Sequence, residues 1–137
     1  MRLLFKRQVI KVGHYLRWML KMSVIHAGIL SALRPGDTNA HRLFCVRPPS
    51  VKTTVKSMIV CNLSGGALTY RIFATTTESQ TYDGYCAQFY DVSIAANSTH
   101  TIDMNWLLST GQTIGVRSSS ANNITFTIFG EEEDTLE

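Results

Sequence analysis

The sequence predicts an all-β protein: an antiparallel β-sandwich of about seven to eight strands preceded by a basic, partly helical N-terminal arm. Two observations predict the sandwich. Short apolar runs rich in β-branched residues recur along most of the chain, and clusters of Gly, Asn, Asp and Ser separate them. A third observation predicts the arm, because positive charge is concentrated near the amino terminus. These patterns fit a jelly-roll and an immunoglobulin-like sandwich equally well.

The charge is divided unevenly along the 137 residues. Residues 1–56 contain eleven Lys and Arg but a single acidic residue, Asp37, which gives a net charge of +10. Residues 57–137 contain two basic and nine acidic residues, a net charge of −7. Such asymmetry indicates a basic segment that seeks an acidic partner: phosphate, the acidic face of another protein, or a second copy of this chain. A solvated arm whose charge is balanced by its own domain is an equal alternative.

Residues 1–21 read MRLLFKRQVIKVGHYLRWMLK. Apolar side chains recur there at helical spacings with Lys and Arg between them, which predicts a basic amphipathic helix, although Gly13 and the β-branched residues oppose it. We expect this segment to bind a partner through a set of cationic and aromatic side chains: Arg2, Lys6, Arg7, Lys11, Arg17, Trp18 and Lys21.

Residues 22–33 resemble the apolar region of a secretory signal, with Lys21 as its charged flank. His26 interrupts the apolar run and Arg34-Pro35 is a poor cleavage site, so we do not expect secretion. Residues 34–40 (RPGDTNA) have the composition of a linker. The expected division is therefore a basic arm and linker over residues 1–40, a sandwich over 41–130 and an acidic tail over 131–137.

Within the sandwich, strands are expected at residues 41–47, 53–60, 67–73, 85–94, 99–104, 113–118 and 124–128. The second and third of these runs flank residues 62–66 (NLSGG), whose side chains tolerate positive φ, so we expect them to form a β-hairpin. In the last run, Ile124, Phe126 and Ile128 alternate with threonines, as expected of a half-buried antiparallel strand. The tail EEEDTLE is expected to be exposed and mobile.

No spacing in the chain predicts a catalytic or metal site. The four histidines form neither an HxH nor an HExxH pair, and the three cysteines, Cys45, Cys61 and Cys86, form no CxxC pair. We therefore expect free thiols, no metal, no cofactor and no enzymatic activity. Arg71 and Arg117 are single charges on strands, and the acidic balance of the sandwich opposes binding of nucleic acid there.

One aromatic cluster could contact a ligand. Tyr82, Tyr85 and Phe89 lie in and after the polar loop 75–84, and such rings can stack against sugars or bases. Core packing of these rings is the favoured alternative, because aromatic side chains dominate small β cores.

Two stretches resemble a family of small tailed-phage virion proteins. They are VKSMIVCNLSGGALTYRIF and YDVSIAANSTHTIDMNWLLSTGQTIGVRSSSANNITFTIFGEE. The pattern of the family begins with V-x-S-I-V-V-C-N. It continues with D-V-P-I-A-A-N-x-T-x-T-L-D, L-x-A-G-D-x-I-R-V-x-A-S and F-x-x-x-G. The matching residues are Val55, Ser57, Ile59, Val60, Cys61, Asn62, Asp91, Ile94, Ala95, Asn97, Thr99, Thr101, Asp103, Leu108, Gly111, Ile114, Val116, Ser118, Phe126 and Gly130. Arg47-Pro48-Pro49-Ser50 replaces the family's VPAG, Gly111-Gln112 replaces its GD, and the basic arm has no counterpart in the pattern.

The resemblance implies a non-enzymatic structural protein of the phage virion, a capsid decoration protein whose arm anchors it to neighbouring subunits and whose sandwich packs with copies of itself. A neck, tail or baseplate protein that binds a host glycan is the alternative. Other virion proteins are the expected partners, and nucleic acid and membrane are not. Two further hypotheses remain from the residues alone: a carbohydrate-binding module that uses Tyr82–Tyr90, and a membrane or nucleic-acid binder that works through the arm.

Overall fold

The computed structural model describes residues 23–135, and these form eight strands. In chain order they are β1 (Ser23–Leu33), β2 (His41–Cys45), β3 (Ser50–Asn62), β4 (Leu68–Thr75), β5 (Ala87–Ile94), β6 (Thr99–Ser109), β7 (Thr113–Ser118) and β8 (Ile124–Thr135). The described part contains no helix, whereas the helix expected in the arm lies outside the described residues, as do the arm's expected contact residues.

The strand order is that of a jelly-roll. One sheet has the order β1-β8-β3-β6 and the other β2-β7-β4-β5, with all pairs antiparallel. The pairs β4–β5, β3–β6, β2–β7 and β1–β8 make one long hairpin that is rolled into two facing sheets, which is the eight-stranded double Greek key. The sandwich prediction is confirmed, and the order excludes the immunoglobulin-like alternative, whose sheets are built from different pairs.

The hairpin expected between residues 53–60 and 67–73 is wrong. Both runs are strands, but β3 and β4 lie in opposite sheets, so residues 63–67 connect the two layers of the sandwich. The turn residues indicate only where the chain reverses direction. Whether the next strand pairs with the previous one or crosses to the other sheet depends on distant strands, here β8 and β7.

The expected boundaries at residues 40 and 131 also differ from the structure. Residues 23–33 form β1, which pairs with β8, and β8 continues through residues 131–135 of the acidic tail. Glutamates are tolerated there because this end of the sheet keeps them partly exposed and because Lys52 Nζ lies 3.0 Å from the Glu133 carboxylate. The sandwich therefore includes both β1 and most of the residues assigned to the tail.

The core lies between the two sheets, where alternate residues of each strand meet. Ile124, Phe126 and Ile128 are fully buried, as their alternation predicts. Tyr70 also lies in the core; its ring packs edge-on against Phe126, and its hydroxyl lies 2.9 Å from His100 Nδ1 on the opposite sheet. The core cluster comprises Leu43, Val46, Val55, Met58, Val60, Tyr70, Ile72, Ile94, Leu108, Ile114, Val116, Ile124, Phe126 and Ile128.

Glu132 is a half-buried carboxylate on β8 that makes stability depend on pH. Burial raises the pKa of the Glu132 carboxyl above its ordinary value, the neighbouring Asp134 raises it further, and His26 acts in the opposite direction. A carboxyl group whose pKa is raised by folding does not change the free energy of unfolding at a pH below its ordinary pKa. It lowers the free energy of unfolding as the pH rises from the ordinary pKa through the pKa of the folded state.

We therefore expect Glu132→Gln to raise the free energy of unfolding near neutral pH by less than about 1 kcal/mol, a small effect because water screens a partly exposed group. The gain should disappear near pH 3.5, roughly a unit below the ordinary pKa. Urea unfolding at both pH values measures this, with Glu131→Gln, on the opposite face of β8, as the control. An equal gain at both pH values would contradict the electrostatic explanation.

Candidate interaction surfaces

The outer face of the β1-β8-β3-β6 sheet is open. Ile25, Ile29 and Leu107 are 61%, 67% and 65% exposed there, and Phe129 and Ile59 are half-exposed between them. The register places these side chains on the face away from the core, together with several threonines and the charged residues Lys52, Asp103, Glu131 and Glu133. No segment within residues 23–135 covers this face, so it presents apolar side chains directly to solvent.

Among the four edge strands in the described part of the chain, β1 is the one without charged residues or proline. The edge strand β2 has only five residues, and β5 and β6 contain Asp91 and Asn105, whose positive φ values of 49° and 52° distort these edges. β1 has eleven residues without Lys, Arg, Asp, Glu or Pro; residues 23–29 keep an unbroken register with β8, Gly28 has a φ of 138°, and the register shifts between Ile29 and Ser31. The edge of β1 thus lacks the charge and proline with which proteins normally stop free backbone groups from pairing with other chains.

The structure does not bring the three predicted loop aromatics together. Tyr82 packs on the outer face of the second sheet, against Phe73 at a ring-centroid distance of 5.6 Å, and its hydroxyl lies 2.9 Å from Thr113 Oγ1. Phe89 stacks on Trp106 beside the core. Only Tyr85 projects freely, at 97% exposure. Two of the three rings therefore have structural partners.

A groove on the outer face of the second sheet does collect charged side chains from three adjacent strands. Arg117 on β7 is directly opposite Arg71 on β4, and Arg71 Nε and Nη2 donate to the two carboxylate oxygens of Asp91 on β5, at 2.7 and 3.1 Å. The Arg71 guanidinium also lies 3.8 Å from the centre of the Tyr90 ring. The groove has a volume of about 430 Å³ and is lined by Thr38, Thr69, Tyr70, Arg71, Asp91, Arg117 and Ser119.

The Arg71–Asp91 pair is held in its ionised form. The hydrogen bond from Arg71 is the main reason that the pKa of Asp91 lies below its ordinary value, and Arg117 lowers it further. The sequence offers Arg71, Asp91 and Arg117 only as isolated charges, 20 to 46 positions apart. Their convergence follows from the pairing of β4 with both β5 and β7, which no local pattern encodes.

Other kinds of site have less support in the described part. Cys45, Cys61 and Cys86 are free, as expected. Residues 23–135 contain no group of three or more His, Cys, Asp or Glu side chains suited to hold a metal ion. Over the same range, no helix has the length and apolar character needed to cross a membrane.

Comparison with solved structures finds similar arrangements of strands at low identity. A chain from the T13 particle of infectious bursal disease virus aligns with a TM-score of 0.47 and 10% identity over 85% of this chain, which spans only 31% of the viral chain. A chain from the capsid structure of Helicobacter pylori bacteriophage KHP30 has a TM-score of 0.47 and 10% identity, covering 82% of this chain and 89% of its own. A chain of the Bacillus endospore appendages has a TM-score of 0.47 and 12% identity, covering 85% and 91%.

No protein-family model and no curated protein matches the chain. Two of the three structures above come from virus particles, but likenesses at this level do not assign a function. The resemblance to tailed-phage proteins therefore stays a prediction.

Proposed function

We propose that this chain is a non-enzymatic structural protein of a tailed-phage virion, and specifically a decoration protein of the capsid. The observation that carries the proposal is β1, a long edge strand without Lys, Arg, Asp or Glu, on an open sheet face where Ile25, Ile29 and Leu107 are exposed. An edge of this kind binds by backbone pairing to a strand of another subunit. The jelly-roll order agrees with this role, since viral capsid domains often use it, and the sequence resemblance points to the same class.

The basic arm supplies the second contact. Residues 1–22 directly precede β1 in the sequence, and β1 is an edge strand of its sheet. Cationic side chains on this segment complement an acidic neighbouring subunit and favour its capture by long-range attraction. Together the arm and β1 hold the sandwich to the particle and to its own copies.

Purified particles of the phage that produces the chain test this proposal, with the number of copies per particle counted by quantitative mass spectrometry. Replacing the six Lys and Arg of residues 1–21 by Gln removes the arm's charge, and Ile29→Lys places a charge on the exposed face of β1. Each change is expected to lower occupancy about tenfold or more, the equivalent of one lost contact of about 1.4 kcal/mol. Leu63→Lys, at a 51% exposed position between β3 and β4, is the matched control and should keep full occupancy.

The position of the protein on the particle separates the two versions of the role. Cryo-EM density at the symmetry axes of the shell supports capsid decoration. Density at the neck, tail or baseplate would contradict capsid decoration and support the alternative of an accessory protein. The groove on the second sheet is the feature that favours this alternative. Absence of the chain from purified particles overturns both versions.

A further inference from the structure

We propose that the groove between Arg71, Asp91 and Arg117 is a binding site for a carboxylate-bearing sugar. This inference goes beyond the structural role proposed above, because the groove lies on the opposite sheet from β1 and its ligand need not belong to the particle. It also places ligand binding on residues other than Tyr82, Tyr85 and Phe89.

The charge arrangement is the first reason. Arg71 and Arg117 are direct cross-strand partners, and like charges in this position destabilise a sheet. Asp91 forms hydrogen bonds with only one of them, because its two carboxylate oxygens receive the Nε and Nη2 groups of Arg71, and its single charge cannot balance both arginines. The three side chains thus leave one uncompensated positive charge, and an anion in the groove would relieve the repulsion between the two arginines.

The hydrogen-bonding geometry of Arg117 is the second reason. Its Nε donates to the Thr38 carbonyl oxygen at 2.7 Å, which fixes the orientation of the guanidinium. Within residues 23–135 this is the one hydrogen bond of the Arg117 side chain, and no carboxylate forms an ion pair with it. A guanidinium that is oriented at one nitrogen and free at the others is suited to a planar carboxylate, which accepts two parallel hydrogen bonds.

The remaining lining indicates a sugar as the carrier of that carboxylate. The volume of about 430 Å³ is within the usual range for small-molecule sites and exceeds what a single carboxylate needs. The hydroxyl-bearing residues Thr38, Thr69 and Ser119 and the exposed Asp91 carboxylate offer donors and acceptors for several ligand hydroxyls.

The same features disfavour other ligands. An apolar side chain finds no apolar pocket in this lining. Nucleic acid needs several cations along its backbone, whereas the groove offers one free positive charge in a sandwich with an excess of acidic residues. The acidic side chain of a protein partner would occupy only the Arg117 end, and simple carboxylates test that possibility.

The experiment uses the full chain labelled with ¹⁵N, titrated with D-glucuronic acid, D-glucose and acetate at constant pH and ionic strength. Glucuronic acid is expected to shift the amide resonances of residues 69–71, 91 and 117–119. Glucose and acetate should bind at least about tenfold more weakly, since each lacks one part of the recognised group. Arg117→Gln should weaken glucuronic acid binding about tenfold or more, and Arg117→Lys should recover part of it by restoring the charge without the planar fork.

Arg34→Gln is the matched control, because Arg34 is an exposed arginine on the chain segment before β2 and does not line the groove. Unfolding curves show whether each variant is folded at the titration temperature. If acetate binds as tightly as glucuronic acid, the sugar is not recognised and the sugar assignment is overturned. If glucose binds as tightly as glucuronic acid, the carboxylate is not recognised and that part of the proposal is overturned. Shifts elsewhere in the protein, no binding at all, or the same loss in Arg34→Gln would overturn the site itself.

Discussion

Gly130→Ala is expected to cost about 3 kcal/mol or more of stability, a large share of the roughly 5–15 kcal/mol that a domain of ordinary stability has. Gly130 is in β8, between Gly28 of β1 and Val55 of β3. A methyl group on Gly130 would overlap the carbonyl oxygen of Thr54 and would lie 3.0 Å from Val55 Cα. These are backbone atoms of a central strand, so they can move away only if the β3–β8 ladder opens.

Urea unfolding of the full chain measures this cost, and Gly84→Ala is the matched control. Gly84 lies in the β4–β5 connection, where an added Cβ meets no atom within 4 Å and the backbone is not in the left-handed region. We expect the control to change stability by less than about 0.5 kcal/mol. A Gly130→Ala variant as stable as the control would contradict this prediction. It would show that β3 and β8 can separate locally beside Gly130, with the displacement taken up at the register shift between Val55 and Ser57.

The close approach at Gly130 also explains part of the sequence resemblance. Several of the matching positions are those at which the fold requires a particular backbone. Asp91, Asn97 and Gly111 have φ values of 49°, 52° and 88°. Gly and Asn reach positive φ at little cost, and Asp does so more readily than most residues. At these four positions the resemblance follows backbone geometry and close packing, which concern the fold and not the function.

A strand with one buried and one exposed face shows its period of two directly in the sequence. β8 alternates Ile124, Phe126 and Ile128 with threonines, so its period of two is visible. β1 lacks such a pattern because Ile25 and Ile29 face solvent, while Leu30 and Leu33 reach the core beyond the irregularity at Ile29–Ser31. Its apolar residues consequently resemble a signal segment.

The candidate sites could be predicted only in part for a related reason. The basic arm is visible in the composition, and its residues remain a prediction. The groove is not visible, because Arg71 and Arg117 become neighbours only when β4 pairs with β7. Tyr82 could be recognised as aromatic and loop-borne, but its role in covering Gly115 depends on how the β4–β5 connection folds back over the sheet.

Asn62→Ala is expected to cost about 3 kcal/mol, because one buried side chain joins two connections at the same end of the sandwich. Asn62 is 1% exposed. Its Nδ2 donates to the carbonyl oxygens of Gly66, Ala95 and Ile94 at 2.9, 3.1 and 3.3 Å, and its Oδ1 accepts from the backbone N–H and the hydroxyl of Ser64 at 2.9 and 2.8 Å.

These bonds hold the β3–β4 connection against the β5–β6 turn. Two backbone hydrogen bonds also join them: Asn62 N–H donates to the Ser98 carbonyl oxygen at 2.9 Å, and Asn97 N–H donates to the Ser64 carbonyl oxygen at 3.0 Å. Alanine leaves the carbonyl oxygens without their donor, and each unsatisfied buried group costs about 1–3 kcal/mol. The connection that crosses between the sheets is thus held at its start by one amide side chain, in addition to these two backbone bonds.

Asn62→Asp separates the loss of hydrogen bonds from the loss of volume. The carboxylate keeps the size and the acceptor for Ser64, but it faces three carbonyl oxygens without a donor, so we expect it to be at least as destabilising as alanine near neutral pH. Asn39→Ala, at an exposed position before β2, should change stability by less than about 0.5 kcal/mol. Thermal and urea unfolding of the full chain compare the three variants. If Asn62→Asp is as stable as the original chain, the amide donors do not hold the two connections together, and backbone bonds and packing around residue 62 hold them instead.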